Sequence, residues 1–192
     1  MLGADTTLDH DIQPPRKTKM TALKAADTVL LTGATGFLGA FLLNDLLENT
    51  SAMIICLVRA TEPSEDDVPA GIARIRRNLI DHGLWRDSIM ERVEILPGNL
   101  SRTRLGLAPD YFDELAARVD VIVHAAANVN LVSPYAALRG DNVGGTREIL
   151  RLACQGGALK SWIRGFSAAI FSRKQLKRLL RPSIPPRCLR LC

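Results

Sequence analysis

Three glycines at GxxGxxG spacing constrain the fold of this chain more than any other feature. They are Gly33, Gly36 and Gly39, and they stand between the apolar run 29–31 and a helical pattern. One glycine permits a tight turn, a second lets the backbone approach a pyrophosphate, and the third lets helix and strand pack closely. The N–H groups that begin the helix then meet the anion. In this context the loop predicts dinucleotide binding, although an ordinary strand-to-helix turn is the alternative.

Short apolar runs alternate with helical stripes along the body of the chain. Strands are predicted at 29–31, 53–58, 93–96 and 119–124, and helices at 38–47, 72–80, 109–118 and 145–154. This alternation predicts an α/β fold, a partial Rossmann fold whose four-stranded parallel sheet carries helices on both faces. No fifth strand is predicted after Lys160, because the sequence there becomes rich in Arg and Pro.

Composition divides the chain into three parts: a linker at 1–26, a dinucleotide-binding domain at 27–160 and a basic tail at 161–192. The tail holds eight of the 25 Lys and Arg residues and no Asp or Glu, which leaves 17 basic against 20 acidic residues in the rest. The net charge of +5 therefore belongs to the tail, and nucleic-acid binding by the body of the protein is not predicted. The tail is expected to be foreign to the fold, because a frameshift, a retained intron or a misjoined exon would give such a composition. A real appendage for RNA or anionic membrane is the alternative.

Several other classes are excluded by pattern. The sequence has no run of 18 apolar residues, so no membrane span is predicted. The N-terminus contains acidic residues and no apolar core, so it is unlike a secretory signal. The four cysteines form neither a CxxC pair nor a cluster with histidine, so no disulfide framework or metal site is expected. A reducing cytoplasm fits this pattern best.

The end of the second strand indicates which dinucleotide binds. An NAD site places an acid about 20 residues after the glycines, whereas Arg59 stands 20 residues after Gly39. A guanidinium there can hold a 2′-phosphate, so NADP(H) is favoured over NAD(H), with a solvated surface arginine as the alternative. Arg74 is a weaker second candidate for the same phosphate.

Further candidates follow the third and fourth strands. The adenine is expected near Asn99 and Leu100, and the ribose and nicotinamide near small residues after the fourth strand. Those small residues are Ala125, Ala126 and Ala127. His124 is interpreted as structural rather than catalytic. For Asn142 two interpretations stay open: it orders a water or proton relay, or it caps a helix.

Assembled in order, these segments resemble the extended short-chain dehydrogenase/reductase family. More narrowly, they resemble the thioester reductase domains, of male-sterility NAD-binding type, of nonribosomal peptide and polyketide synthetases, aminoadipate reductases and carboxylic acid reductases. The resemblance covers roughly residues 27–160. It is carried by VLLTGATGFLGAFLLNDLL, IICLVRA, RVEILPGNLS and GLAPDYFDELAARVDVIVHAAANVNLVSPYAALRGDNVGGTREILRLA.

The resemblance implies that NADPH reduces an acyl or peptidyl thioester, held on a phosphopantetheine carrier domain, to an aldehyde or alcohol. It implies that Arg59 takes the 2′-phosphate and that Asn99 stands where the family usually has Asp. The residues implied to cradle the pyrophosphate are Thr32, Gly33, Thr35, Gly36, Phe37, Leu38 and Gly39.

The chain departs from the family in its catalytic residues. The family uses a Ser/Thr and a Tyr-x-x-x-Lys pair, but Leu115 and Arg139 stand four residues after the two tyrosines, Tyr111 and Tyr135. No strand supports Ser167 or Ser172 in the Ser/Thr role, so no catalytic residue is assigned and the chain is expected to be inactive alone. The alternatives are a non-catalytic NADP(H)-binding module, a fragment of a fatty acyl-CoA reductase, and an enzyme with unconventional residues.

Overall fold

A five-stranded parallel sheet forms the centre of the molecule. The computed structural model describes residues 5–13, 21–130, 132–155 and 161–164, the last range by its backbone alone. The strands are β1 (Thr28–Thr32), β2 (Met53–Arg59), β3 (Val93–Gly98), β4 (Val121–His124) and β5 (Ser161–Arg164). Their order is β3-β2-β1-β4-β5, with every pair parallel. The order reverses between β1 and β4, which is where open α/β sheets bind their ligands.

Helices cover both faces of this sheet. They are α1 (Phe37–Asn49), α2 (Val68–Asp81), α3 (Pro109–Arg118), α4 (Tyr135–Arg139) and α5 (Gly145–Cys154). A π-helical turn (Gly140–Gly144) joins α4 to α5, and 3₁₀ turns lie at Leu23–Ala25, Glu65–Asp67, Asp87–Arg92 and Thr103–Gly106. Within the described ranges, none of the helices has the length and apolar content that crossing a bilayer requires.

Alternation along the strands divides the core into two layers. Leu31 faces α1 and α2 and packs with Leu43 of α1, whereas its neighbour Leu30 packs with Phe112 of α3 and Ile149 of α5. All five side chains are fully buried. Successive residues of a strand point to opposite faces, so a sheet covered on both sides needs continuous apolar strands. The α/β fold of Rossmann type predicted from the sequence is therefore confirmed.

The four predicted strands are present as β1 to β4, and the structure adds a fifth. β5 pairs with β4 from Val121↔Ser161 to His124↔Arg164, which corrects the expectation that no strand follows Lys160. β5 was missed because it has only four residues, too few to form an apolar run that stands out from the basic sequence around it. The tail from residue 165, including Ser167, Ser172, Cys188 and Cys192, lies outside the described residues. So do positions 1–4 and 14–20 of the predicted linker.

A short acidic segment near the N-terminus lies along the outside of α4 and α5. Asp5 accepts two hydrogen bonds from Arg139, at 2.6 and 2.7 Å, and lies 3.8 Å from Arg147. Asp11 accepts a hydrogen bond of 2.7 Å from Arg151. Arg139 precedes the π-helical turn and Arg147 follows it, so Asp5 joins the two halves of an interrupted helix. We call residues 5–11 the acidic strap.

Candidate dinucleotide-binding site

The glycine loop leaves β1 at Thr32 and enters α1 at Phe37. Gly33 has a φ of +77°, in the left-handed region, and a Cβ there would lie 2.7 Å from the backbone N of Ala126. A Cβ on Gly39 would lie 2.0 Å from the carbonyl oxygen of Gly33. Neither position has room for a side chain, because the loop, α1 and the segment after β4 are in backbone contact. Gly36 instead faces the open side, which leaves the loop accessible to a ligand.

The start of α1 presents unpaired N–H groups to that open side. The first N–H groups of any α-helix lack intrahelical acceptors, and Gly36 at the N-cap supplies no side chain to satisfy them. No acidic residue occupies the first turn, so nothing there opposes an anion at the positive end of the helix dipole. Thr35 and Leu38 are half-buried beside this opening, and Phe37 is 68% exposed.

The segment after β4 is fastened to the end of β1. The backbone N–H groups of Ala125 and Ala126 donate to the carbonyl and hydroxyl oxygens of Thr32, at 3.3 and 3.2 Å respectively. The same hydroxyl lies 2.7 Å from Nδ1 of His124, and both side chains are buried. His124 therefore links the ends of β1 and β4 inside the protein, which supports the interpretation of this residue as structural. Ala127 is exposed at the rim.

The two predicted phosphate-binding arginines meet at the end of β2. The Arg59 side chain is 64% exposed and its Nη2 lies 3.4 Å from Oδ2 of Asp141. Arg74, on α2, is also exposed and donates from Nη1 to the carbonyl oxygen of Arg59 at 2.8 Å. The structure thus brings both guanidinium groups to one accessible corner. Binding of a 2′-phosphate by these two groups stays a prediction.

Asp141 is a member of this corner that the sequence analysis missed. It accepts hydrogen bonds from the Ser101 hydroxyl and, at 3.0 Å, from the Asn128 amide. These bonds, the one from Ser101 foremost, lower the pKa of its carboxyl, and the nearby charge of Arg59 adds to the effect. The π-helical turn places Asp141 here. Such turns occur often at functional sites, but no local sequence pattern distinguishes this one from a loop.

Asn142 pairs with the backbone of the segment after β4, and its two roles considered from the sequence stay predictions. Its Oδ1 accepts the backbone N–H of Asn128 at 2.7 Å, and its Nδ2 donates to the Asn128 carbonyl at 2.9 Å. This reciprocal pairing holds the segment after β4 against the π-helical turn. Asn142 therefore holds in place the segment after β4, which forms one side of the site.

Asn99 and Leu100 form the turn that follows β3. The Asn99 amide donates to the Ala60 carbonyl at 3.3 Å, and its Oδ1 accepts the Ser101 N–H at 3.0 Å. Leu100 packs closely on α5, because a Cβ on Gly145 would lie 2.9 Å from the Leu100 Cβ. Both residues shape the rim between β3 and α5, and their contact with an adenine stays a prediction.

These residues fit a dinucleotide. Two glycines stand where a Cβ has no space, an uncapped helix start faces outward, and two arginines lie beyond the neighbouring strand. In the part of the chain that the structure describes, no group of three or more His, Cys, Asp or Glu side chains is placed to hold a metal ion. The site is therefore suited to binding an extended anion across the ends of β1, β2 and β4.

Comparison with known proteins assigns the family. The model of the male sterility protein family, an NAD-binding type, matches residues 31–186. The chain belongs to this family. The match includes the whole glycine loop and extends through β5 into the predicted tail, so the likeness does not stop at residue 160.

Two relatives of this chain carry the name reductase. The chain is 69% identical over 163 residues to glycine betaine reductase ATRR of Emericella nidulans, covering 85% of this chain and 13% of that protein. It is 37% identical to the L-2-aminoadipate reductase large subunit of Penicillium chrysogenum, covering 75% and 10% respectively. The chain thus spans a small part of the curated relatives that it matches.

A solved reductase domain shares the fold. The terminal R domain of the myxalamid PKS-NRPS biosynthetic pathway superposes with a TM-score of 0.76 at 40% identity, covering 85% of this chain and 40% of that domain. The resemblance to thioester reductase domains of nonribosomal peptide synthetases and to aminoadipate reductases is therefore confirmed, and with it an NAD(P)-binding Rossmann fold.

Proposed function

We propose that this chain is the NADP(H)-binding part of a reductase that acts on an acyl or peptidyl thioester held on a phosphopantetheine carrier domain. One observation carries the proposal: a glycine loop with no space for side chains opens onto an uncapped helix start, with two arginines at the end of the adjacent strand. Relatives that are synthetase reductase domains support the thioester and the carrier partner.

Each part of the site has a distinct role in this proposal. The loop from Thr32 to Gly39 holds the pyrophosphate through backbone N–H groups and the helix dipole. Arg59, assisted by Arg74, holds the 2′-phosphate. When no phosphate is bound, Asp141 keeps the Arg59 side chain near that position. A doubly charged phosphate attracts a guanidinium more strongly than one carboxylate does. NADPH, when bound, supplies the hydride.

Proton donation is the step for which the sequence offers no group. Tyr111 has Leu115 four residues on, and Tyr135 has Arg139. The Tyr135 hydroxyl donates to Asp5 at 2.7 Å, on the outer side of α4. General acid catalysis contributes about 10²–10⁴-fold to a rate, so we propose that these 192 residues bind NADPH without measurable turnover.

The substrate to test first follows from the relative at 69% identity. That protein is a glycine betaine reductase, so betaine is the acyl group that we propose, supplied in the assay as its pantetheine thioester.

We place the protein in the reducing cytoplasm, where its buried thiol at Cys56 stays reduced.

Titration with NADPH tests the cofactor assignment directly. We expect the 192-residue chain to bind NADPH more tightly than NADH. Arg59→Ala should weaken NADPH binding about tenfold and leave NADH binding unchanged, because it removes a charge-assisted hydrogen bond to the 2′-phosphate alone. Arg77→Ala is the matched control, since Arg77 is an exposed arginine of α2 that pairs with Asp81.

Two results would contradict the proposal. If the chain bound neither dinucleotide, the assignment of the loop would be wrong. If it oxidised NADPH on addition of an acyl-pantetheine thioester, the proposed lack of turnover would be wrong, and a catalytic group other than Tyr-x-x-x-Lys would have to be sought.

A further inference from the structure

Asn78, near the end of α2, contacts the glycine loop from the side opposite to its opening. Its Nδ2 donates two hydrogen bonds, to the carbonyl oxygen of Ala34 at 2.9 Å and to that of Gly36 at 3.0 Å. The side chain is half-buried. One amide group from a different helix therefore bonds two carbonyl groups of the loop, and the Gly36 carbonyl also accepts the Ala40 N–H of α1 at 3.1 Å.

The directions of these carbonyl groups also determine where the next N–H groups point, and for Gly36 the bond from Ala40 contributes to that direction. In a trans peptide the carbonyl of one residue and the N–H of the following residue point in opposite directions, and the chain contains no cis peptide bond among its described residues. Since the Ala34 and Gly36 carbonyls point toward Asn78, the N–H groups of Thr35 and Phe37 point away from it. On that side of the loop Gly36 and Phe37 are exposed, so an anion can reach it.

The end of α2 is itself held firmly against α1. The Asn78 carbonyl accepts a hydrogen bond of 2.7 Å from Nδ1 of His82. The His82 ring packs edge-to-face against Phe37 at 5.3 Å and Phe41 at 5.6 Å between centroids. The backbone of Asn78 therefore approaches the loop from a position that the contacts of His82 with α1 help to fix.

We propose that Asn78 is a positioning residue for the pyrophosphate of NADP(H), which acts chiefly by orienting the N–H group of Thr35 through the Ala34 carbonyl. This inference rests on the proposed function and deepens it, because it adds a residue that touches no ligand. It predicts that Asn78 affects only ligands that reach the glycine loop. A ligand bound solely at the Arg59 corner should not respond to its removal.

Two ligands separate this role from a general structural one. NADPH reaches both the loop and Arg59, whereas 2′-AMP carries the 2′-phosphate without a pyrophosphate. With the full chain, Asn78→Ala should weaken NADPH binding about tenfold, the effect of losing one or two hydrogen bonds, and leave 2′-AMP binding unchanged. Arg59→Ala should weaken the binding of both. Asn49→Ala is the matched control, because the Asn49 amide donates to Asp45 within α1.

The outcomes are distinguishable. Unchanged NADPH binding by Asn78→Ala would overturn the inference, and so would equal losses of NADPH and 2′-AMP, which would indicate loss of the fold. Asn78→Asp gives a second measurement: it keeps the shape but donates no hydrogen bond, so it should weaken NADPH binding at least as much as Asn78→Ala. If the unmodified chain failed to bind NADPH, the proposed function itself would fail.

Discussion

At the scale of single residues, Gly39 shows how little space separates the loop from the helix that follows it. Gly39→Ala would place a methyl carbon 2.0 Å from the Gly33 carbonyl oxygen. The backbone must shift to relieve this contact, so we expect a loss of about 1–3 kcal/mol in the free energy of unfolding and much weaker NADPH binding. Urea unfolding and NADPH titration measure the two effects.

Gly83 provides the comparison for that prediction. It has a φ of +67°, but a Cβ there meets no atom within 4 Å. Gly83→Ala should therefore cost only the strain of a left-handed residue, about 1–2 kcal/mol, and leave NADPH binding intact. Equal NADPH affinity in the two variants would show that close packing at Gly39 does not shape the loop.

At the scale of elements, the acidic strap bridges the interrupted helix of α4, the π-helical turn and α5. Arg139 foremost, and then Tyr135, hydrogen-bond the Asp5 carboxylate and hold the pKa of Asp5 well below the ordinary aspartate value. A carboxyl whose pKa is depressed on folding stabilises the folded state above its unfolded pKa of about 4 and loses that effect as the pH falls further.

Asp5→Asn tests this dependence on pH. We expect the variant to unfold at lower urea concentration than the unmodified chain at pH 7, with the difference shrinking as the pH falls below about 4. Asp81→Asn, which removes an exposed pair within α2, should change the midpoint less. A difference between Asp5→Asn and the unmodified chain that did not vary with pH would exclude the charge of Asp5 as its source.

Elements differ in how far the sequence revealed them. The first four strands were predictable because a strand buried on both faces needs a continuous apolar run, and α5 because its apolar residues recur at helical spacing. The helix from Tyr135 to Gly144 was missed because its glycines and Asn142 resemble a loop. The pairs Arg59–Asp141 and Asp5–Arg139 join residues 82 and 134 positions apart, and ion pairs at such separation leave no local pattern.

At the scale of the whole molecule, β5 covers the hydrogen-bonding edge of β4. The four residues of β4 are buried, and β5 pairs with all of them in parallel register. A chain shortened to residue 155 would expose the unpaired N–H and C=O groups of β4, and exposed edges promote aggregation. We expect it to scatter more light and to melt at a lower temperature than a chain shortened to residue 164, which keeps β5. Equal behaviour of the two would mean that β5 contributes no protection.

The acidic strap also has a consequence for the order of events during synthesis. Asp5 leaves the ribosome long before Arg139, its partner 134 positions later. At about 5–20 residues per second, the strap waits on the order of ten seconds as an unpaired, negatively charged arm. It can dock only after β1 to β4 and the interrupted helix have been made, so the first described segment of the chain to be translated is among the last to reach its native place.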